Sequence, residues 1–219
     1  MDGQIINEQY LYDIANAIRS KNGESTLYRP QDMDDAILNI QSLLNTSLID
    51  KTIEVYNNNI ITSIGNSAFH HCTSLTSVNL PNVSSIGEAA FTNCTSLTSI
   101  DFPNLTIVEL GVFTDCTSLT SVNLPNVTSI GDYAFYGCTS LTSINLPNVT
   151  SIGEYAFSNC SSLTSVTLPG STVCTGGLNM FFYSAISSTG YIYVPANLVN
   201  TYKTTEYWRE YASRIVTIN

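Results

Sequence analysis

The chain has 219 residues, of which 11% are charged, and a net charge of −10; ordinary soluble domains carry roughly 25% charged residues. No Lys or Arg occurs between Thr52 and Tyr202. A surface without cations cannot displace counterions from phosphates, which argues against nucleic-acid binding and against attraction to anionic lipid.

At the N-terminus, Met1-Asp2-Gly3-Gln4 opens no basic region followed by an apolar run, and no stretch is long enough to span a bilayer. This predicts no signal peptide and no membrane insertion. Synthesis and folding in the cytosol would keep the six cysteines as thiols; a virion or cell-surface destination stays open. Residues 7 to 45 then follow helical spacing. Tyr10, Ile14, Ala15 and Ile18 share one face, and Asn22-Gly23 stops that helix. Pro30 precedes a second helix with Met33, Ile37, Ile40 and Leu44 on one face and Asp32, Asp34 and Asp35 in its first turn, where the macrodipole favours anions. The expectation is a helical N-terminal module over 1–45. It is too small to bury much alone, so it would dock on its neighbour or serve in assembly. Residues 46–59 read as a connecting segment with one strand, Thr52 to Tyr56.

From Cys72 onward the chain is periodic. Cys72, Cys94, Cys116, Cys138 and Cys160 lie 22 residues apart, as do Phe69, Phe91, Phe113, Phe135 and Phe157, the leucines from Leu75 to Leu163 and the prolines from Pro81 to Pro169. A fixed period of this length means stacked coils, here five over 60–173. Such an array presents a long surface and has no single cleft, which points to binding rather than catalysis. Within Leu119 to Ser140 a strand is predicted from Thr120 to Leu124, with Val122 and Leu124 on one face and Ser121 and Asn123 on the other. Pro125 ends it. After Ile130-Gly131 one or two helical turns are expected, with Asp132 at their start and Ala134, Phe135 and Cys138 facing inward. The third coil breaks the pattern with Val108-Glu109-Leu110-Gly111, where a local bulge is expected.

Stacked cysteine side chains at about 5 Å fall within disulfide range, but five equivalent members cannot all pair and their Cβ vectors run parallel. No C-x-x-C or C-x-x-H spacing occurs within a repeat. Buried thiols acting as small apolar fillers account for the ladder better. His70 and His71 are the only histidines, and neighbours in sequence do not share a helix face. No metal, cofactor or catalytic residue is predicted. Glu88, Asp132 and Glu154 recur at one position and read as helix N-terminal charges.

The strand face supplies the candidate site. Ser77, Ser99, Ser121, Ser143 and Ser165 form one row, and Asn79, Asp101, Asn123, Asn145 and Thr167 the next. They are small, polar and almost uncharged, suited to hydrogen-bonding a glycan or a peptide backbone, yet without an aromatic anchor. Aromatic density lies instead in the last 46 residues, 174–219, where Tyr202, Tyr207, Trp208 and Tyr211 are candidate contacts or seals for the end of the array.

The pattern Ile-Gly-x-x-Ala-Phe-x-x-Cys-x-x-Leu-x-x-Val/Ile-x-Leu-Pro, complete in Ile130 to Pro147, resembles the BspA-type bacterial leucine-rich repeat. It departs from the commoner leucine-rich repeat by placing Val83, Leu105, Val127 and Val149 where an Asn or Cys is usual. Tyr191-Ile192-Tyr193-Val194-Pro195, with helices expected over Ala196–Lys203 and Glu206–Ile215, resembles the C-terminal cap following such repeats in bacterial surface proteins and prophage products. The segment from Ile14 to Gly23 with Pro30-Gln31-Asp32-Met33 is similar to parts of phage tail-associated structural proteins. The resemblance implies an α/β repeat: a leucine-rich-repeat solenoid with a parallel strand face and a short helical face, an N-terminal helical hairpin and a C-terminal αβ cap. It implies non-catalytic recognition or adhesion by a bacterial surface or prophage tail-associated protein, toward a protein or cell-surface glycan. The rival reading is a structural spacer assembling through the N-terminal helices.

Overall fold

The computed structural model describes residues 55–58 and 61–218. The helical hairpin expected within 1–45 lies outside them, as do residues 52–54 of the first expected strand. Every coil contributes two short strands. One column holds β1 (Val55–Asn57), β3 (Ser77–Asn79), β5 (Ser99–Asp101), β7 (Ser121–Asn123), β9 (Ser143–Asn145) and β11 (Ser165–Thr167). The other holds β2 (Ser63–Ile64), β4 (Ser85–Ile86), β6 (Ile107–Val108), β8 (Ser129–Ile130), β10 (Ser151–Ile152) and β12 (Thr175–Gly176). Every pairing is parallel and keeps the sequence period, with Ser99 facing Ser121 and Ser129 facing Ser151, and the ladders are interrupted between β7 and β9 and between β4 and β6. The described residues form a parallel-strand solenoid.

The second column of two-residue strands was not evident in the sequence, and the helical face expected there does not form. After Ile86 the chain makes tight turns instead. Ala90 N donates to Gly87 O, Cys94 N to Phe91 O and Leu97 N to Cys94 O, each a three-residue turn bond. The alternate N–H groups leave the coil: Ala89, Phe91 and Asn93 donate to the carbonyls of Leu110, Val112 and Thr114. A helix would consume those donors within its own turns. Two left-handed residues per coil also forbid one. Ser67, Ala89, Gly111, Tyr133 and Tyr155 form one column at φ of 53–62°, and His71, Asn93, Asp115, Gly137 and Asn159 form the other at 54–71°. The turns thus make a third ladder between coils. In the third coil the pattern is interrupted on one side, since β6 pairs with β8 but not with β4. Val108 pairs with Ile130, and Gly111 takes the left-handed place held by Ala89 and Tyr133 in its neighbours.

The core is a set of columns. The rings of Phe69, Phe91, Phe113, Phe135, Phe157 and Phe181 stack at 5.0–5.6 Å. Each such pair contributes about 0.5–1.5 kcal/mol beyond its buried area. Phe181 stands 24 residues after Phe157 rather than 22, so stacking continues past residue 173 with a longer coil. Beyond it come a 3₁₀ turn (Ala185–Ser187), β13 (Tyr191–Val194), the helix α1 (Val199–Thr204), a 3₁₀ segment (Trp208–Arg214) and β14 (Ile215–Thr217). β13 pairs in parallel with both β11 and β14. Tyr211 meets Phe181 edge-on at 5.4 Å, and Trp208 packs against Phe181 and Tyr202. These rings close the phenylalanine column.

Candidate binding face

Alternation along each three-residue strand sends the middle residue and the following leucine inward, as with Ile144 and Leu146, both buried. The residues on either side of the middle position point out. Asn79, Ser99, Asp101, Ser121, Asn123, Ser143 and Asn145 are exposed, while Ser77, Ser165 and Thr167 are half-buried. The structure therefore brings the ten candidate residues into two rows, with paired neighbours one strand spacing, about 4.8 Å, apart and a break in the pairing between β7 and β9. Within the second row Asn123 Nδ2 donates to Asp101 Oδ1 at 2.9 Å. Prolines end the strands, and the next asparagine ties each corner to the previous coil. Asn104, Asn126 and Asn148 donate to the carbonyls of Pro81, Pro103 and Pro125.

The rows do carry an aromatic anchor, contrary to expectation. Tyr191 pairs in register with Ser165, and Tyr193 with Thr167. The two tyrosines extend the serine row and the asparagine row at the C-terminal end. Tyr191 is 41% exposed, Tyr193 is half-buried, and their rings lie 6.5 Å apart. The signal for this was present in the sequence: in Tyr191-Ile192-Tyr193-Val194 both tyrosines alternate with apolar residues and so share the outer face.

The expected aromatic contacts are a correction. Tyr202, Trp208 and Tyr211 are buried, and their polar atoms serve the chain itself. Trp208 Nε1 donates to the Cys174 carbonyl at 2.7 Å, while the Tyr202 hydroxyl accepts from Cys174 N and the Tyr211 hydroxyl from Phe181 N. Burial raises both tyrosine hydroxyls above their ordinary pKa. Tyr207 is half-buried in the left-handed turn before Trp208.

The cysteines occupy the core as free thiols. Cys94, Cys116, Cys138 and Cys160 each donate to a carbonyl of the preceding coil, those of Phe69, Phe91, Phe113 and Phe135, at 3.1–3.2 Å. The thiol is thus a spacer that also satisfies a carbonyl. Burial raises Cys116 and Cys138 well above the ordinary thiol range. Asp132 does not start a helix; its carboxylate accepts from Glu154 N in the next coil at 2.7 Å. Among the described residues no three His, Cys, Asp or Glu side chains come together as a metal site, and no helix is long and apolar enough to cross a membrane.

Comparison with known proteins agrees with this architecture. The BspA type Leucine rich repeat region, in six copies, matches residues 45–138 and 106–205. Among solved structures the chain is similar to a leucine-rich repeat protein from Bacteroides ovatus, with 30% identity, a TM-score of 0.62, and coverage of 76% of this chain and 43% of that one. A leucine rich cell surface protein from Faecalibacterium prausnitzii is 40% identical with a TM-score of 0.52, over 54% of this chain and 33% of that one. The leucine rich repeat protein of T. pallidum is 27% identical with a TM-score of 0.50, over 67% and 78% of the two chains. The chain spans less than half the length of the first two. No curated protein matches the chain. With the family pattern spread over most of its length and the solenoid on the page, the chain belongs to the BspA-type leucine-rich repeat family.

Proposed function

We propose that the protein is a non-catalytic recognition or adhesion module whose strand face meets a protein or cell-surface glycan, at a bacterial surface or on a prophage tail. The observation that carries this reading is the pair of polar rows ending in Tyr191 and Tyr193. Small neutral donors and acceptors at a regular spacing suit repeated modest hydrogen bonds. An amphipathic ring at the end of the rows adds stacking area at low entropic cost. A structural neighbour, the F. prausnitzii protein, is a leucine rich cell surface protein, which supports the surface setting.

The test is a glycan and surface-protein array probed with the purified chain. Asn123→Lys with Asn145→Lys puts bulk and charge into the second row without touching the core, and Tyr191→Ala with Tyr193→Ala removes the anchor. Both double variants are expected to abolish the signal. Binding that survives both would move recognition off this face. A chain that binds nothing on the array but self-associates through residues 1–45 would instead be a spacer. The continuous phenylalanine column, which ties each coil rigidly to the next, favours that second reading.

A further inference from the structure

Around the strand face, outward polar side chains are tied to neighbouring coils. The threonines beside the serine row donate backward: Thr98 Oγ1 to Thr76 O, Thr120 Oγ1 to Thr98 O and Thr164 Oγ1 to Thr142 O, at 3.1–3.3 Å. On the other side the corner asparagines hold proline carbonyls, and in the second strand column Thr128 and Thr150 donate backward as well. The two rows that lie between differ. Among the described residues, the hydroxyls of the serine row and the amides of Asn79 and Asn145 make no hydrogen bond to the chain. Only Asn123 and Asp101 meet each other. The fold thus satisfies the flanking polar groups and leaves these two rows open.

The open groups recur along the array axis. Asn57 is exposed and pairs in register with Asn79, so the second row runs from Asn57 to Tyr193 with one position per coil. The core rings give the coil repeat, 5.0–5.6 Å, and Phe135 and Phe157 keep it at 5.2 Å beside the break in pairing between β7 and β9. A ligand that uses the rows must repeat at that interval. An extended peptide shows the same face every second residue, about 6.8 Å, and falls out of register within about two coils. A nucleic acid finds no cation from Thr52 to Tyr202. An extended β-1,4-linked polysaccharide advances by about one coil repeat per sugar and carries hydroxyls along both edges.

We propose that the strand face takes a neutral, extended β-1,4-linked polysaccharide laid along the solenoid axis, one sugar per coil, with one end on Tyr191 and Tyr193. This names the ligand class of the face and rests on the recognition reading above. The serine hydroxyls meet one edge of the chain and the asparagine amides the other, each group able both to donate and to accept. At the C-terminal end the tyrosines replace the small polar pair, and their rings offer a face against which a sugar's C–H face packs. An acidic polysaccharide is disfavoured, because Asp101 stands in the row and no cation offsets it. Each contact is modest, so affinity comes from the number of coils covered.

The measurement is isothermal titration calorimetry of the full chain with cello-oligosaccharides of two to six β-1,4-linked glucose units, beside α-1,4-linked maltohexaose, whose curved chain cannot follow the rows. Affinity is expected to climb with each added glucose, leaving cellohexaose tighter than both cellobiose and maltohexaose by about tenfold or more. Asn123→Lys with Asn145→Lys should abolish cellohexaose binding, and Tyr191→Ala with Tyr193→Ala should weaken it by about tenfold, both with unchanged circular-dichroism melts. Equal affinity for maltohexaose, no gain beyond cellobiose, or no binding of the cello series would each overturn the proposal. The broader reading fails separately. A protein captured on the array by the wild type and lost in Asn123→Lys with Asn145→Lys, with no cello-oligosaccharide bound, would keep the recognition face and remove the polysaccharide. Cellohexaose bound equally by the wild type and that variant would overturn both.

Discussion

Burial pushes the thiols of Cys160 and Cys174 up to about 12, and it raises Cys116 and Cys138 in the same direction. A thiol reacts as its thiolate, so native protein at neutral pH should give a low count with an Ellman-type reagent and six after denaturation. The same shift sets a pH dependence. The folded state keeps these protons where the unfolded chain, with ordinary thiols near 9, has lost them. Stability is therefore full below about pH 9 and falls as pH climbs toward about 12. Thermal melts across that window should show the fall, and Cys160→Ala should make it shallower. A melting curve indifferent to alkali would mean that these thiols are hydrated in the native state. Single residues also show where sequence reading reached its limit. The serine and asparagine rows were legible because the period of 22 and the strand alternation of two fix both neighbour and face. Tyr191 and Tyr193 were missed as their continuation because Tyr191 follows Ser165 by 26 residues, and only the three-dimensional register shows that the longer coil still lands in line. For Trp208 and Tyr202 the sequence left contact and seal open, because a ring's exposure at the end of an array depends on how the chain folds back, and local spacing does not encode that.

Each coil's turn segment was read as helix because Ala134, Phe135 and Cys138 satisfy helical spacing. Turns that bury the same side chains satisfy it equally. What separates the two is the destination of the backbone donors. Here alternate N–H groups cross to the next coil, and left-handed residues make that crossing geometry. One column of left-handed places holds Ala89, Tyr133 and Tyr155, residue types that seldom mark such a conformation; the other holds Asn93, Asp115, Gly137 and Asn159, types that favour it, a signal that the helical spacing overrode. The turn reading has a direct consequence. A non-glycine residue at positive φ costs about 1–2 kcal/mol, and glycine removes that cost while losing about 0.5–1 kcal/mol to its freer unfolded chain. Ala89→Gly should therefore leave stability unchanged or raise it slightly. Ala90→Gly, at the fully buried neighbour, should lower it by about 1 kcal/mol or more. Were the segment helical, both changes would destabilise alike, and a pair of denaturant titrations distinguishes the cases. The side-chain bonds between coils give a gentler check: Asp132→Ala strips the acceptor from Glu154 N and should cost about 1 kcal/mol.

A solenoid couples each coil only to its neighbours, so where a defect sits decides how it spreads. Leu119 is fully buried in the middle of the leucine column, and Leu119→Asp would place an unpaired carboxylate among Cys116, Leu97 and Leu141. Burying that charge costs several kcal/mol, about the whole stability margin of a domain. The loss strikes both halves of the array, because the stacked phenylalanines and inter-coil hydrogen bonds on either side lose their nearest-neighbour support. Trp208→Ala offers the contrast. It removes the ring that packs on Phe181 and Tyr202 and leaves the Cys174 carbonyl without its donor, a cost of about 3–5 kcal/mol at one end. Hydrogen exchange separates the two defects. Trp208→Ala should release protection first in residues 174–194 and only later around Leu97 to Ile130, a fraying front that starts at the C-terminal side. Leu119→Asp should release the central coils at once and drop the melting midpoint with no protected remnant between Phe91 and Phe157. Matching exchange patterns from the two variants would mean that the described solenoid opens as a single all-or-none unit, its coils too strongly coupled for the ends to act alone.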